Sequence, residues 1–295
     1  VDALAAEGWL GVLIPESYEG KGLGTPETVV MMEEIAASGA GFGGAQTIHG
    51  GIYNSPPLVK NASPERKETL LPKIARGEVS IQAFGLTEPG AGSNAPSMET
   101  FARREGDEYV VSGEKMWISR VDVSDYMLLV ARTSPKSAVD KRTRGISTFL
   151  IDLDDAQAQG RLHKEPIEKS ASTFVNSYRL TFDDLRVPAE NLIGEEGAGF
   201  YQVLDGLNEE RLVIAAELIG MAELALSKGA DYAADREVFD QPIGANQAIQ
   251  HPLAAAHAEV QAARQVTYEA ASRSAEDSLD RESLGARANA AKYLA

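Results

Sequence analysis

The spacing of hydrophobic positions changes twice along the chain. From Val1 to Ile81 it is helical: Leu4, Trp9 and Leu10, then Val29, Met32, Ile35 and Ala36, then Leu70, Leu71 and Ile74. Thr25-Pro26-Glu27 predicts a helix start, with a hydroxyl cap, a proline in the first turn and an acidic residue next. Ser63-Pro64-Glu65 predicts another. From Gln82 to about Pro188 the period is two. Tyr109–Val111, Lys115–Ser119, Tyr126–Ala131, Ile146–Ile151 and Tyr178–Phe182 predict short strands. Gly106-Asp107, Ser112-Gly113 and Thr143-Arg144-Gly145 predict the turns between them, and Pro135 to Arg144 an exposed charged loop. Gly194, Gly197 and Gly199 then punctuate the way into helices over about 200–235, 247–275 and from Ser283 onward. The order is helices, strands, helices. It predicts an α+β chain with an N-terminal helical domain over residues 1–81, a middle antiparallel β-barrel or sandwich domain over 82–188, and a C-terminal helical bundle over 189–295.

Both helical parts read as partial. Val1 lies inside a helical run, and the last run, with Leu284, Ala288, Ala291 and Leu294 on one stripe, carries no stop signal. Composition then narrows the chemistry. With 295 residues, 43% apolar and 24% charged, no stretch of ~18 uncharged apolar residues predicts a membrane span. There is no cysteine, so disulfides, thiolate catalysis and cysteine-ligated metals are excluded. The four histidines form no i, i+4 metal motif, so no metal site is expected. A formal charge of −16 speaks against nucleic acid as a partner, and any anionic ligand must rely on local Arg, Lys and backbone N–H groups. Gly39, Gly41 and Gly44 fit G-x-G-x-x-G, but no predicted strand precedes them, so close helix packing is the better reading.

Two stretches carry candidate chemistry. Phe84-Gly85-Leu86-Thr87-Glu88-Pro89-Gly90-Ala91-Gly92-Ser93-Asn94 is too rich in Gly and Pro for a regular element. Gly90 and Gly92 are expected to supply positive φ, and the loop offers backbone N–H groups and the hydroxyls of Thr87 and Ser93 to a planar heterocycle or a phosphate. Lys115 to Ser119 follows as a strand with the broad face of Trp117 two residues before a hydroxyl, Ser119. On the long third-part helix, at about 100° per residue, Leu207, Ile214, Leu218, Met221 and Ala225 share one stripe. Glu210 lies at one edge of that stripe and Arg211 at the other, while Glu209 points elsewhere. A carboxylate there is costly unless it is paired, protonated or used. Geometry alone leaves open a structural Glu–Arg pair.

"GLTEPGAGSN" followed by "GEKMWIS" resembles the flavin-binding signature of the acyl-CoA dehydrogenases. The resemblance covers essentially the whole chain, and it implies FAD as cofactor. The backbone at Phe84 and Leu86 and the Thr87 hydroxyl would hold the pyrimidine edge of the ring, Trp117 would lie against it, and the Ser119 hydroxyl would approach N5. Ser93 would face substrate. "LNEERLVIA" resembles the isovaleryl- and long-chain-type members, which implies Glu210 as the catalytic base and substrate-side roles for Arg211 and Asn208. "DREVFDQPIGANQAIQH" implies that Arg236 reaches the FAD pyrophosphate of a neighbouring subunit, with Phe239 and Ile243 beside the adenine and Gln247 bonded to the cofactor. Arg236 can also be read as a cation stabilising a helix C-terminus. Three positions depart from the pattern: Asn94 and Asn208 stand where Asp is frequent, and Ser119 where Thr is commoner. The implied activity is α,β-dehydrogenation of an acyl-CoA, with an electron-transferring flavoprotein as electron acceptor, a homo-oligomer (dimer or tetramer), and a cytoplasmic or mitochondrial-matrix location. An acyl-CoA oxidase and a non-catalytic relative of the same fold are the alternatives.

Overall fold

Strands Tyr126–Arg132 and Ile146–Asp152 read as almost unbroken apolar runs, and the computed structural model gives the reason: both faces of this pair are covered. Met127, Leu129, Ala131 and Phe149 turn into the sheet's own core with Tyr109, Leu180 and Phe182. Leu128 and Leu150 turn the other way, onto Leu58, Leu71, Ile74 and Ile81. The model describes residues 1–275 and 280–295, and every side chain among them except those of Asp205 and Arg281.

In chain order the helices are α1 (Asp2–Ala6), α2 (Thr25–Ala37), α3 (Gly41–Asn61), α4 (Pro64–Ala75), α5 (Leu153–Ala158), α6 (Gly199–Asp235), α7 (Gln247–Ser274) and α8 (Arg281–Leu294). The strands are β1 (Ala83–Gly85), β2 (Phe101–Glu105), β3 (Glu108–Ser119), β4 (Tyr126–Arg132), β5 (Ile146–Asp152), β6 (Leu162–Pro166), β7 (Ser177–Pro188), β8 (Leu192–Ile193), β9 (Glu237–Val238) and β10 (Gln241–Pro242). Helices, then a β region, then helices is the expected order, and the class is α+β. An eight-stranded sheet runs β6-β7-β3-β2-β4-β5-β8 with β1 on β4. It is not wholly antiparallel, because β1 and β2 each pair with β4 in parallel. The chain packs as two compact units, Val1–Gly22 with Thr47–Gly206, and Leu23–Gln46 with Leu207–Ala295.

Within the first unit, β3 is one twelve-residue strand where two were expected. Ser112-Gly113 is not a turn. It is a register shift against β7, with Gly113 at φ 138°. A Cβ at Gly113 would sit 2.6 Å from the Thr100 Cα, so only glycine fits. A second shift falls between Lys115 and Ile118. Beside it the Gly-rich loop is fastened to the strand. Lys115 is fully buried, and its Nζ donates to the Leu86 carbonyl at 2.9 Å and to Glu88 Oε1 at 2.8 Å. The same carboxylate accepts the backbone N–H groups of Glu99 at 2.6 Å and Thr100 at 3.1 Å. Burial pushes the Lys115 ammonium down to about 8, partly offset by Glu88. Burial alone would raise Glu88, but Lys115 and the Glu99 N–H outweigh it and leave the carboxyl below its ordinary 4.5.

The second unit is held by small side chains. Leu212, Ala215 and Ala216 of α6 pack with Val29 of α2, Ala270 and Ala271 of α7, and Ala288 and Ala291 of α8. This displaces the predicted stripe. Leu207, Ile214 and Leu218 are only half-buried, and Met221 and Ala225 are exposed, because the tightest face is built from alanine rather than from the large residues. At the α2–α6 crossing a Cβ on Gly220 would lie 2.2 Å from the Glu33 carbonyl oxygen. Arg264 bridges Glu33 at 2.7 Å and Glu223 at 3.2 Å. The start of α2 also differs from expectation. Gly24, not Thr25, is the cap residue, and the Glu27 carboxylate accepts its N–H at 2.9 Å. Among the described residues, no helix is long and apolar enough to cross a membrane, and no cluster of three or more His, Asp or Glu could hold a metal ion.

Glu88→Gln leaves a buried ammonium without its counter-charge and is expected to cost about 3–5 kcal/mol in urea unfolding. Replacing Glu88 and Lys115 together by Met should cost clearly less. The carboxyl is depressed in the folded state, so its contribution is whole above about 4.5 and is lost as pH falls through the lower folded value. The wild-type protein should therefore lose more stability than Glu88→Gln between pH 5 and strongly acid conditions. Gly220→Ala, which forces α2 and α6 apart, should lower stability by about 1–3 kcal/mol in the same measurement.

Candidate active site

The candidate residues of the first unit converge on the loop and strand that Lys115 ties together. Phe84 lies on β1, half-buried, with its ring edge-on to Tyr53 at 5.7 Å, and Tyr53 in turn meets His49 at 5.1 Å. Leu86 gives its carbonyl to Lys115. Thr87 gives its carbonyl to the Met116 N–H at 2.8 Å, which sets Thr87 one residue from the indole-bearing position. Glu88 and Ala91 exchange backbone hydrogen bonds at 3.2 and 3.1 Å and close a tight turn. Gly90 and Gly92 do not have the positive φ expected of them. A Cβ at either would meet open space, so they leave the loop surface bare rather than permit an unusual backbone. Ser93 and Asn94 are exposed beside them.

Trp117 is the most unusual residue of this group. It sits in the second register shift of β3 with φ 63°, a left-handed conformation that a bulky aromatic side chain rarely adopts. Its side chain is 52% exposed, on a strand whose neighbours Lys115 and Ile118 are buried. The local geometry thus aims a broad apolar face outward instead of filling the core, which fits a bound planar ring system. Ser119 follows, half-buried, with its hydroxyl 3.0 Å from that of Ser177. Lys169 donates to the Ser177 hydroxyl at 3.1 Å. Arg120 is also left-handed, at φ 63°. Its backbone N–H reaches the Asn176 carbonyl at 3.1 Å, and its guanidinium reaches the Thr47 carbonyl at 3.2 Å. Burial lowers its pKa, opposed by Asp122.

The second unit holds the other candidates. Asn208, Glu210 and Arg211 lie within one turn of α6; Asn208 is buried, and Glu210 and Arg211 are half-buried. Arg211 donates to Asn208 Oδ1 at 2.8 Å and to the Leu207 carbonyl at 3.4 Å. A cluster of polar groups therefore sits just before the buried Leu212, Val213, Ala215 and Ala216. Arg236, Phe239, Ile243 and Gln247 come together where α6 gives way to α7. β9 and β10 form a hairpin whose two turn residues, Phe239 and Asp240, have φ 54° and 61°. The Arg236 carbonyl accepts the Ile243 N–H at 2.8 Å. Phe239 stands 94% exposed at the tip, and Gln247 opens α7 on the surface.

Sequence reading missed the Lys115–Glu88 pair and Arg120. It also missed Glu217, a fully buried carboxylate on α6 whose Oε2 accepts from Gln46 Nε2 at 2.6 Å. Their partners lie far away along the chain, and spacing carries no signal for them.

Comparison with known proteins identifies the family. The acyl-CoA dehydrogenase N-terminal, middle and C-terminal domain models match residues 1–78, 83–185 and 197–295. Acyl-CoA dehydrogenase FadE12 of Mycobacterium tuberculosis is 36% identical over 288 residues, 98% of this chain and 71% of that protein. Mitochondrial isovaleryl-CoA dehydrogenase of Pongo abelii is 34% identical over 264 residues, 90% of this chain and 61% of the relative. The solved butyryl-CoA dehydrogenase of Megasphaera elsdenii superposes with a TM-score of 0.88 at 29% identity, over 99% of this chain and 74% of that one. The chain belongs to the acyl-CoA dehydrogenase family, and is therefore an oxidoreductase.

Proposed function

We propose that the protein removes the α-proton and β-hydride of an acyl-CoA thioester to give the trans-2-enoyl-CoA, with Glu210 as the base. The observation behind this reading is the placement of Glu210. It is half-buried on α6, beside the hydrogen-bonded Asn208 and Arg211 and ahead of the fully buried Leu212, Ala215 and Ala216. A carboxylate drawn partly out of water becomes a better base near neutral pH, and the proton it takes stays on its own oxygen. The thioester oxygen needs hydrogen-bond donors as enolate character develops at the α-carbon. Bound FAD supplies the two-electron acceptor for the departing hydride. Phe84, Leu86 and Thr87 would hold the pyrimidine edge, Trp117 would cover the ring, and Ser119 would donate to its centre. Ser93, Asn208 and Arg211 would face the CoA thioester.

Arg236, Phe239, Ile243 and Gln247 would serve the FAD of a neighbouring subunit, so the working form is a homodimer or homotetramer. The 94% exposure of Phe239 on a preformed hairpin supports an intermolecular role. A division into domains at 1–81, 82–188 and 189–295 is supported by the spans of the three family matches. Electron-transferring flavoprotein as acceptor, a place in fatty acid β-oxidation, and a cytoplasmic or mitochondrial-matrix location complete the reading.

Glu210→Gln should abolish flavin bleaching by acyl-CoA thioesters under anaerobic conditions, with FAD still bound. Unchanged turnover in this variant would place the base elsewhere. Arg236→Ala should weaken FAD binding roughly tenfold or more, measured as cofactor lost on gel filtration at low concentration. An unaltered affinity would contradict the shared cofactor site.

A further inference from the structure

Behind the Ser119 hydroxyl stands a short chain of hydrogen bonds that the proposed chemistry does not use. Ser119 Oγ lies 3.0 Å from Ser177 Oγ, and Lys169 Nζ donates to the same Ser177 oxygen at 3.1 Å. The Lys169 ammonium also donates to the Val175 carbonyl. Ser177 is buried, while Ser119 and Lys169 are half-buried. Strand pairing brings the two serines together: β3 ends at Ser119, β7 opens at Ser177, and the two residues face each other in register. The lysine arrives because the segment before β7 folds back on itself. The Ile167 N–H donates to the Ser177 carbonyl at 2.8 Å, which sets Lys169 beside the start of the strand that follows it.

The chemistry of the three groups fixes which way the hydrogens point. An ammonium carries donors and no acceptor, so Ser177 Oγ accepts from Lys169. A hydroxyl has a single hydrogen to give. Among the described residues the other partner of the Ser177 hydroxyl is Ser119, so Ser177 donates to it. Ser119 Oγ is thereby an acceptor toward the protein, and its own hydrogen is left for a group outside the chain. Two serines without the lysine could run either way, and Ser119 could equally donate inward and present only a lone pair. Neighbouring charges do not draw the ammonium off. The Asp122 carboxylate accepts the Asn176 amide at 2.7 Å, and the Arg120 guanidinium reaches the Thr47 carbonyl at 3.2 Å.

We propose that Lys169 is a positioning residue that acts through Ser177 to hold the Ser119 hydroxyl as a hydrogen-bond donor toward the flavin ring. Arrival of a hydride adds negative charge to the ring system. A donor backed by an ammonium stabilises that charge more than a lone hydroxyl does, because each bond in the chain polarises the next. The lysine touches neither ring nor substrate and exchanges no proton. It sets the direction and the strength of the last hydrogen bond. This inference rests on Ser119 facing the ring, as in the reading above.

The test uses FAD-loaded protein and reads the two-electron reduction potential of the bound flavin, beside the rate of its anaerobic bleaching by an acyl-CoA thioester. Lys169→Met should move the oxidised–reduced equilibrium about tenfold toward the oxidised form, which is about 30 mV for two electrons. The bleaching rate should fall with it, while the Kd of the thioester stays as it is. Ser177→Ala, with the ammonium still in place, should lower the potential by a similar amount, and the double variant should lower it no further. Lys169→Arg should keep most of the wild-type potential. Ser177→Ala removes one oxygen atom, so it keeps the test decisive if thermal unfolding or cofactor loss shows that Lys169→Met is not a folded holoprotein. An unchanged potential in Ser177→Ala, or losses that add in the double variant, overturns the chain. Ser119→Ala separates this from the parent reading. A lowered potential there, with none in the other two variants, sinks only the role of the lysine; an unchanged potential in all three removes Ser119 from the ring as well.

Discussion

One buried ion pair governs the loop and strand that carry the candidate residues of the first unit. Lys115 has no exposure, and its ammonium is held by the Leu86 carbonyl and by Glu88, which arrives from the Gly-rich loop. The carboxylate also takes two backbone N–H groups, from Glu99 and Thr100, so its oxygens are well supplied with donors. Such a pair is not retained for raw stability, since an apolar pair of the same size can do as well. What it adds is register. With the Leu86 carbonyl on Lys115 and the Thr87 carbonyl on the Met116 N–H, a loop of glycines and a proline acquires one position relative to β3.

That register matters because β3 is locally strained at the next residue. Trp117 holds a left-handed backbone inside a bulge, and Arg120 holds another three residues later. Each such residue costs on the order of 1–3 kcal/mol unless its surroundings enforce it. The bonds on either side do so: Lys115 and Met116 to the loop, and Arg120 to Asn176 and Thr47. The outcome is an indole displayed outward on a rigid strand, which is what holding a flat cofactor requires. The second unit uses a different constraint. Alanines and Gly220 bring helices close together, and that closeness makes a buried carboxylate such as Glu217 both expensive and well ordered.

Much of this was legible residue by residue. The change of period at Gln82 and again after Pro188 marked the β region, and the paired segments around Thr87 and Trp117 carried the family resemblance. Where expectation failed, the competing force can be named. Ser112-Gly113 looked like a turn because Gly breaks strands, yet here it lets β3 pass the Thr100 backbone. The helical stripe of α6 was drawn through large side chains, whereas the closest packing runs through Leu212, Ala215 and Ala216. Thr25 looked like a cap, but Glu27 reaches back to Gly24.

Local sequence by itself determined the element order, the class and the identity of the chemical groups, because periodicity, turn residues and short motifs are properties of neighbours along the chain. Tertiary structure alone decided which distant charges meet, Lys115 with Glu88 and Gln46 with Glu217, and which way the Trp117 indole faces. Burial sets the cost of a charge and strand register sets the direction of a side chain, and both arise only when segments far apart in the chain are brought into contact.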